Sequence, residues 1–232
     1  MIMSGHEDSL RKESVEEYLG AIYRLQEMTA APLPLSRLQI LLKVSPISIH
    51  EMVQKLEKEA LVEYVPYRGV TLTDAGMRVA MALVRRHRIW ERFLTDALNI
   101  EWDKAHELAG ELEHAAPESV TERLADFLGD PQQCPHGSQI PAGARDGEVA
   151  KSLFQSPSQS LDAMAVGQTA YVAFISIEIP ENLQFLQSRG IKPGTLVELI
   201  GRQVSGCTLK VDGRQVDIPL ELASTIWMTG TL

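Results

Sequence analysis

The order of hydrophobic periodicities in the first third of the chain constrains its fold more than any other feature. Apolar residues recur at helical spacing over 14–28, over a short run at 35–42 and again over 45–60. The segment 61–73 (LVEYVPYRGVTLT) then alternates apolar and polar residues and contains the turn pair Arg68-Gly69, which predicts a β-hairpin. A helix, a short helix, a longer helix and a hairpin in this order predict a winged helix-turn-helix.

Two sequence signals predict where these helices begin. Ser14 followed three residues later by Glu17 fits a capping box for the first helix. Ser45-Pro46 combines a capping residue with a proline at the first helical position, and therefore predicts the start of the third helix.

The rest of the chain divides into a helical part and a β-rich part. Periodicity predicts helices at 73–98, 102–112 and 117–128, the first capped by Thr73 or Asp74. The composition shifts to Pro, Gly, Ser and Gln over 129–160, which predicts irregular structure that ends in a linker. Short β-rich runs follow, with one short helix at 180–189, and predict a small β-barrel of about 70 residues.

The charge is distributed unevenly along the chain. A net charge of −9 would argue against nucleic acid binding if it were evenly spread. Between residues 35 and 90, however, nine Lys and Arg stand against five Asp and Glu, whereas acids dominate 91–150. The first stretch therefore suits DNA, and the second could attract cations.

Membrane-spanning and disulfide-based folds are not expected. No stretch of roughly 18 apolar residues occurs, and the polar start MIMSGHEDSLRKES lacks the apolar core of a signal peptide. Cys134 and Cys207 are the only cysteines and are far apart. We therefore expect reduced thiols in a cytoplasmic protein.

The third predicted helix is the candidate DNA reader. Outward residues near its start would face base edges in the major groove, and residues farther along or at the hairpin tip would contact phosphates. The same module could instead serve protein contacts. The candidate base-reading residues are Ser45, Ile47, Ser48, His50 and Glu51, and the candidate phosphate contacts are Lys55, Tyr67 and Arg68.

Histidines and carboxylates recur at helical spacing in the acidic part of the chain. Two of them lie four residues apart and share a helix face, and three more fall on one stripe of the next predicted helix. Imidazole and carboxylate together suit manganese, ferrous iron, cobalt or zinc. Any one of these residues alone could be an ordinary surface group. The candidate ligands are Glu17, His87, Glu91, His106, Glu113 and His114.

Cys134 and His136 also resemble a ligand pair. They lie in a loop without a second such pair, and structural zinc sites need four ligands. The pair is therefore left out of the predicted site.

Three runs resemble the diphtheria-toxin-repressor family of metal-dependent regulators, namely RRHRIWERFL, KAHELAGELEHA and LGDPQQCPHGSQIP. The similarity covers residues 14–141, and the C-terminal segment resembles the SH3-like (ferrous-iron-transport-A-like) domain that many members append. The resemblance implies a mainly α fold with β structure, and a homodimer that binds a palindromic operator when loaded with metal. The implied domains are a winged helix-turn-helix DNA-binding domain at 1–73, a helical metal-binding and dimerisation domain at 74–141, a linker at 142–160 and the SH3-like domain at 161–232.

The resemblance also implies two metal sites in each subunit. One would contain His87, Glu91 and His106, and the other would contain Glu17, Glu113 and His114. The SH3-like domain would add a side chain of the segment IEIPEN to the first site. The candidates in that segment are Glu178, Glu181 and Asn182.

Departures from the family pattern bear on the choice of metal. Iron-type members carry Met at the position of Glu17 and Cys at that of Gly110. Manganese-type members carry carboxylates at both positions and a further Glu at the position of Gly20. This chain keeps only Glu17. Because hard oxygen ligands favour manganese or ferrous iron, we expect one of these two ions, with manganese slightly favoured and cobalt or zinc able to substitute.

The expected function is a metal-dependent repressor of metal-homeostasis genes. The alternative is a winged-helix interaction protein with a purely structural metal site. A metal-dependent hydrolase is a third class, but the sequence contains no nucleophile elbow, phosphate loop or HExxH motif. No enzyme activity is therefore expected.

Overall fold

The computed structural model of the protein describes residues 3–29, 31–143 and 158–230. These residues form two compact units. Unit 1 contains the described residues up to Arg86 together with 113–116 and 141–143, and unit 2 contains 87–112, 117–140 and the described residues from 158 onward. The helix that begins at Asp74 passes from unit 1 into unit 2.

Unit 1 contains the winged helix-turn-helix, which confirms this part of the predicted fold. Its two strands pair antiparallel, from Val62 opposite Leu72 to Val65 opposite Gly69. Apolar side chains of the three helices, such as Leu19, Leu38 and Val53, are fully buried between the elements. The elements are α1 (Met3–Gln26), α2 (Leu35–Leu42), α3 (Pro46–Lys58), β1 (Val62–Val65) and β2 (Gly69–Leu72).

The start of α3 is as predicted, but the start of α1 is not. The Ser45 hydroxyl accepts a hydrogen bond from the Ser48 amide at 3.1 Å and caps α3. The next long helix is capped similarly, because the Thr73 hydroxyl accepts from the Gly76 amide at 3.1 Å. By contrast, α1 begins at Met3, so the capping box predicted from Ser14 is wrong. Ser14 lies inside the helix, where the neighbouring amides already bond within the helix.

Three further helices and an irregular loop follow the hairpin. The three helices agree with the predicted spans to within about two residues, and the described part of the following segment, up to residue 143, has no regular element apart from an isolated bridge between Gln133 and Gln139. The composition of that segment therefore predicted its structure correctly. The helices are α4 (Asp74–Asp96), α5 (Trp102–Glu113) and α6 (Glu118–Phe127).

The C-terminal part of unit 2 is a six-stranded antiparallel sheet in the order β3-β8-β4-β5-β6-β7, packed around an apolar core. The predicted β-runs and the short helix are all present. The strand β3 lies in the segment that was expected to be a linker. The sequence did not predict it, because Ser-Gln-Ser pairs with β8 through backbone atoms and has no apolar side-chain pattern. The elements are β3 (Ser158–Ser160), β4 (Thr169–Ile175), α7 (Pro180–Gln187), β5 (Leu196–Gln203), β6 (Gly206–Val211), β7 (Arg214–Pro219), α8 (Leu220–Ala223) and β8 (Ile226–Gly230).

Within the described ranges, none of the helices combines the length and the apolar character that crossing a bilayer requires.

Candidate metal centres and nucleic-acid interface

Unit 2 holds a fully buried carboxylate, Glu91, surrounded by imidazoles. Glu91 lies on α4 one turn after His87, which is also buried. The Oε1 atom of Glu91 lies 2.9 Å from Nε2 of His87 and 2.8 Å from Nδ1 of His106 on α5. Nε2 of His87 and Nδ1 of His106 are 3.0 Å apart. The structure therefore brings together the three residues that helical spacing and the family resemblance had grouped.

Cys134 and His136, which the sequence analysis left out, join this group. Nδ1 of His136 lies 3.2 Å from Oε1 of Glu91, and the Cys134 sulfur lies 3.9 Å from the same imidazole nitrogen. The loop is held inward because the His136 carbonyl accepts a hydrogen bond from the Ile175 amide of β4 at 3.0 Å, and the His136 ring stacks on Trp102. The Cys-Pro-His spacing was the available signal, but only these long-range contacts show which way the loop turns.

The segment before α7 contributes Glu178. Its Oε2 atom lies 3.7 Å from Nδ1 of His106, whereas its Oε1 atom lies 3.9 Å from Nδ1 of His136 and accepts a hydrogen bond from the Ser138 hydroxyl at 3.3 Å. Glu181, the other carboxylate expected here, is exposed at the start of α7, and among the described His, Cys, Asp and Glu residues it does not fall in either set of closely spaced ligand atoms.

The donor atoms of this group fit a divalent cation. Oε2 of Glu91, Oε2 of Glu178 and Nε2 of His136 are buried without a hydrogen-bond partner among the described residues. Unsatisfied buried polar atoms are costly, and coordination to a cation would satisfy them. Two overlapping sets share Glu91, and the ligand atoms of each set lie within 4.8 Å of one another. We call these residues the buried cluster: His87, Glu91, His106, Cys134, His136 and Glu178.

The electrostatics of the buried cluster favour an ionised Glu91. Burial by itself would raise the pKa of this carboxyl, but the charges of His136 and His87 and hydrogen bonds from His106 and His136 hold it well below its ordinary value. Burial opposes the charged form of His136 too, yet Glu91 raises the pKa of His136 well above its usual range. At His106 and Cys134 burial dominates, so the pKa of His106 is lowered and that of Cys134 is raised.

A second group of carboxylates surrounds His114 in unit 1. Nε2 of His114 lies 3.2 Å from Oε1 of Glu17 on α1 and 3.4 Å from Oε1 of Glu113. Nδ1 of the same ring lies 3.0 Å from Oε2 of Glu16. The hydrogen bonds with Glu16 and Glu17 raise the pKa of His114 to about 10. We call Glu16, Glu17, Glu113 and His114 the α1–α5 cluster.

Glu16 is the member of the α1–α5 cluster that the sequence analysis missed. The structure brings together the three expected residues, and their ligand atoms lie within 4.8 Å of one another. Adjacent residues on a helix point about 100° apart, and here Glu16 is buried whereas Glu17 is exposed. The helical pattern around Tyr18, Leu19 and Ile22, all buried, was the signal that could have placed Glu16 inside.

Two glycines limit the side-chain ligands of the α1–α5 cluster. Gly20 is buried on α1, and a Cβ atom there would lie 3.0 Å from Cδ2 of Leu83 on α4. A carboxylate at that position would therefore require Leu83 to move. Gly110 lies one turn before His114, and no atom of the described residues lies within 4 Å of the position that its Cβ would occupy. Gly110 therefore leaves room for a side chain that the chain does not supply.

The candidate DNA-contacting residues line an exposed surface of unit 1. All five at the start of α3 are exposed, and Ile47 keeps 71% of its surface accessible. His50 is held by contacts of its ring with Tyr64 and of its Nε2 atom with the Gln54 amide. Tyr67 and Arg68 are exposed at the hairpin tip, and Lys55 is half-buried on α3.

Three family sequence models match the chain. "Iron dependent repressor, N-terminal DNA binding domain" matches residues 12–70, and "Iron dependent repressor, metal binding and dimerisation domain" matches residues 73–142. These two together cover more than half of the chain. The "FeoA domain" matches residues 159–229.

Named relatives and solved structures resemble the chain over nearly its whole length. The chain is 32% identical over 219 residues to the diphtheria toxin repressor of Corynebacterium diphtheriae, covering 92% of this chain and 96% of that protein. It is 28% identical over 225 residues to the iron-dependent repressor IdeR of Mycobacterium tuberculosis, with 92% and 96% covered. A solved manganese-dependent transcriptional repressor in complex with manganese superposes with a TM-score of 0.80 and 35% identity, covering 94% of this chain and 100% of that one.

Proposed function

The chain belongs to the iron-dependent repressor family, and on that premise we propose that it is a metal-dependent transcriptional repressor that binds operator DNA as a homodimer and controls metal-homeostasis genes. The observation that carries the proposal is that one chain combines an exposed recognition helix with two clusters of imidazole and carboxylate donors. A bound divalent cation supplies positive charge that offsets the carboxylates of these clusters.

Each cluster supplies the ligands of one site in this proposal. In the buried cluster, Glu91 and Glu178 provide oxygen donors from α4 and from the segment before α7, and the imidazoles of His87 and His106 complete the set. Cys134 and His136 are ligands of the overlapping set that shares Glu91. In the α1–α5 cluster the ligands are Glu17, Glu113 and His114.

The ligands of the α1–α5 cluster connect metal binding to the DNA reader. Glu17 lies on α1, which packs against α2 and the hairpin. Glu113 and His114 lie at the end of α5. When these three side chains share one ligand, α1 is held against the end of α5, and the helix-turn-helix that packs on α1 is held with it. A ligand shifts such an equilibrium only by its differential affinity, so the arrangement that binds DNA is the one that binds metal more tightly.

The reader recognises DNA through the exposed start of α3 and the hairpin. In this proposal the exposed residues at the start of α3 meet base edges in the major groove, where hydroxyl, imidazole and carboxylate groups bond to bases and Ile47 contacts thymine methyl groups. These residues are Ser45, Ile47, Ser48, His50 and Glu51. Contacts to phosphate come from Lys55, Tyr67 and Arg68 and position the reader without specifying sequence.

Dimerisation uses apolar surface of the helical segment. Phe127 at the end of α6 keeps 71% of its surface accessible, and Val120 on the same helix keeps 40%. Exposed apolar side chains grouped on one short helix are typical of a protein interface. This helix lies within the segment that matches the dimerisation-domain model.

The donor chemistry favours manganese or ferrous iron. Oxygen and imidazole dominate both clusters, and these donors suit manganese and iron better than softer ions. The α1–α5 cluster contains no sulfur donor, which favours manganese there. In the buried cluster Cys134 adds one sulfur, which allows cobalt or zinc to substitute.

The competing assignment is a winged-helix interaction protein with a structural metal. The exposure of the base-reading residues favours the repressor instead. Members of the family act by binding DNA, and we propose that this chain likewise carries out no catalytic step and works in the cytoplasm, where its operator is accessible.

Metal-dependent binding to promoter DNA tests the function. Chelator-treated protein and its His87→Ala variant are titrated with Mn²⁺ at fixed salt, and binding to a DNA fragment from the promoter of its own gene is followed. The expected result is metal-dependent binding by the unmodified protein and its loss in the variant, with the helical content unchanged. Binding by the variant that still requires metal would show that the buried cluster is assigned wrongly. Binding that ignores metal would contradict the proposed function.

A further inference from the structure

The imidazole of His114 is held from both sides by carboxylates that have different surroundings. Nε2 faces Glu17 and Glu113, whereas Nδ1 faces only Glu16 among the described carboxylates. The two ring nitrogens therefore have separate partners. Only one of them, Nε2, belongs to the group of atoms close enough to share a cation.

Glu16 is itself fixed by cations of the protein. Its Oε1 atom lies 3.3 Å from Nη2 of Arg86 on α4 and 3.8 Å from the Lys12 ammonium. The side chain of Glu16 is about nine-tenths buried. Arg86 also donates from Nε to the Glu113 carbonyl at 2.9 Å. A closed chain of contacts thus runs from α1 through Glu16 and Arg86 to the end of α5, where His114 follows directly.

From this geometry we propose that Glu16 is a positioning residue, which holds the proton of His114 on Nδ1 and so presents Nε2 to a divalent cation bound by Glu17 and Glu113. The inference rests on the proposed function, because it assumes that the α1–α5 cluster binds metal.

Chemistry supports a positioning role over a direct one. A histidine ligand coordinates through one nitrogen, and its other N–H is commonly held by a carboxylate that fixes the tautomer and the ring orientation. The Oε2 atom of Glu16 accepts the hydrogen bond of Nδ1–H of His114, so it lies on the opposite edge of the imidazole from Glu17 and Glu113. Its Oε1 atom is already engaged by Arg86. Glu16 therefore acts on the cation through His114.

Substitution of Glu16 tests this role in the full-length chain. The variants are made in a Glu91→Gln background, because both ligand sets of the buried cluster share Glu91, so that the α1–α5 cluster is the remaining complete site. Loss of a histidine-orienting carboxylate typically weakens metal binding by about 10- to 100-fold, and we expect this loss of Mn²⁺ affinity for Glu16→Ala. The Glu16→Gln variant should lose less, because its amide oxygen still accepts from Nδ1–H. The matched control is Glu111→Gln, which removes an exposed carboxylate from α5 without touching His114 and should change the affinity by less than about twofold.

Nitrogen-15 NMR of histidine gives a readout that a merely structural role would not move, and its first spectrum is taken on the unsubstituted protein. In the zinc-loaded protein, His114 should show a protonated Nδ1 and a metal-bound Nε2, and Glu16→Ala should populate the opposite tautomer. Coordination through Nδ1, or unchanged affinity in Glu16→Ala while Glu17→Ala loses metal, would overturn the positioning role and leave the repressor function standing. If zinc and Mn²⁺ leave His114 and Glu17 unaffected even without substitutions, the assignment of the metal site itself fails, and the proposed function with it.

Discussion

Replacement of Glu91 by glutamine should remove one of two metal-linked contributions to stability. A ligand that binds only the folded state at 100 times its dissociation constant stabilises that state by about 2.7 kcal/mol. The structure supplies two separate clusters in each subunit, so saturation of both contributes about twice that amount. For a chain of this size, each kcal/mol corresponds to about 2–4 °C in Tm, so each cluster accounts for about 5–11 °C.

Glu91 is the residue that the buried cluster can least replace. Its Oε1 atom lies within 3.2 Å of His87, His106 and His136, and its Oε2 atom is buried with no hydrogen-bond partner in the described part of the chain. A glutamine keeps the shape but supplies one neutral oxygen and an amide that repels a cation. The metal-free variant should also be less stable by about 3–5 kcal/mol, because a buried ionic network loses one partner.

Thermal unfolding of chelator-treated protein, with and without saturating Mn²⁺, measures both effects. The unmodified protein should gain the full metal-dependent shift in Tm, and Glu91→Gln about half of it. The control is Glu107→Gln, which removes an exposed carboxylate next to His106 that pairs with Lys104 at the surface; it should keep the full shift. An equal shift in Glu91→Gln would refute the assignment of Glu91 as a ligand.

Three further outcomes follow from the structure. The neighbouring carboxylates raise the pKa of His114 from 6.5 to about 10, so its charge stabilises the metal-free protein fully below pH 6.5, and this stabilisation is lost as the pH rises through about 10. The free energy of unfolding, measured with denaturant across this range, should decline with pH, and His114→Gln should flatten the decline. If His114→Gln leaves the pH dependence unchanged, the pairing with Glu16 and Glu17 is contradicted. Arg68→Ala should weaken binding to all DNA sequences alike and lower the slope of log affinity against log salt by about one, and a change in sequence preference would argue against a phosphate contact. Gly110→Glu adds a carboxylate at a position where no described atom lies within 4 Å of the Cβ, so the Mn²⁺ affinity of the α1–α5 cluster, measured by calorimetry, should rise by about tenfold, or about 1.4 kcal/mol. Unchanged affinity would mean that this position does not face the ion.

Local signals predicted the reader and the helices well. The Ser45-Pro46 start of α3 and the Thr73 cap of α4 rest on hydrogen bonds between residues three apart, which a sequence shows directly. The start of α1 was predicted wrongly, because the polar residues before Ser14 are compatible with a helix without showing an apolar face. Strand β3 was missed because its pairing with β8 joins residues about 70 positions apart.

The two metal clusters could be predicted only in part. Residues on one helix, such as His87 and Glu91, are brought together by helical geometry alone. Residues of loops, such as Cys134 and His136, reach the buried cluster only because the loop backbone bonds to β4, and no local pattern carries that information. The resemblance to the family supplied Glu178 to within a few residues but did not distinguish it from Glu181, since that choice depends on the turn before α7.

The decisive experiment is a titration of the chelator-treated protein with Mn²⁺ and, without oxygen, with Fe²⁺, in which binding to its promoter DNA is followed. The salt concentration is fixed, because phosphate contacts make the affinity strongly salt-dependent. DNA binding should be weak without metal and should rise as the two clusters fill, with Mn²⁺ at least as effective as Fe²⁺. Equal affinity for DNA with and without either metal would contradict it, since both clusters would then be structural and the protein would not sense metal.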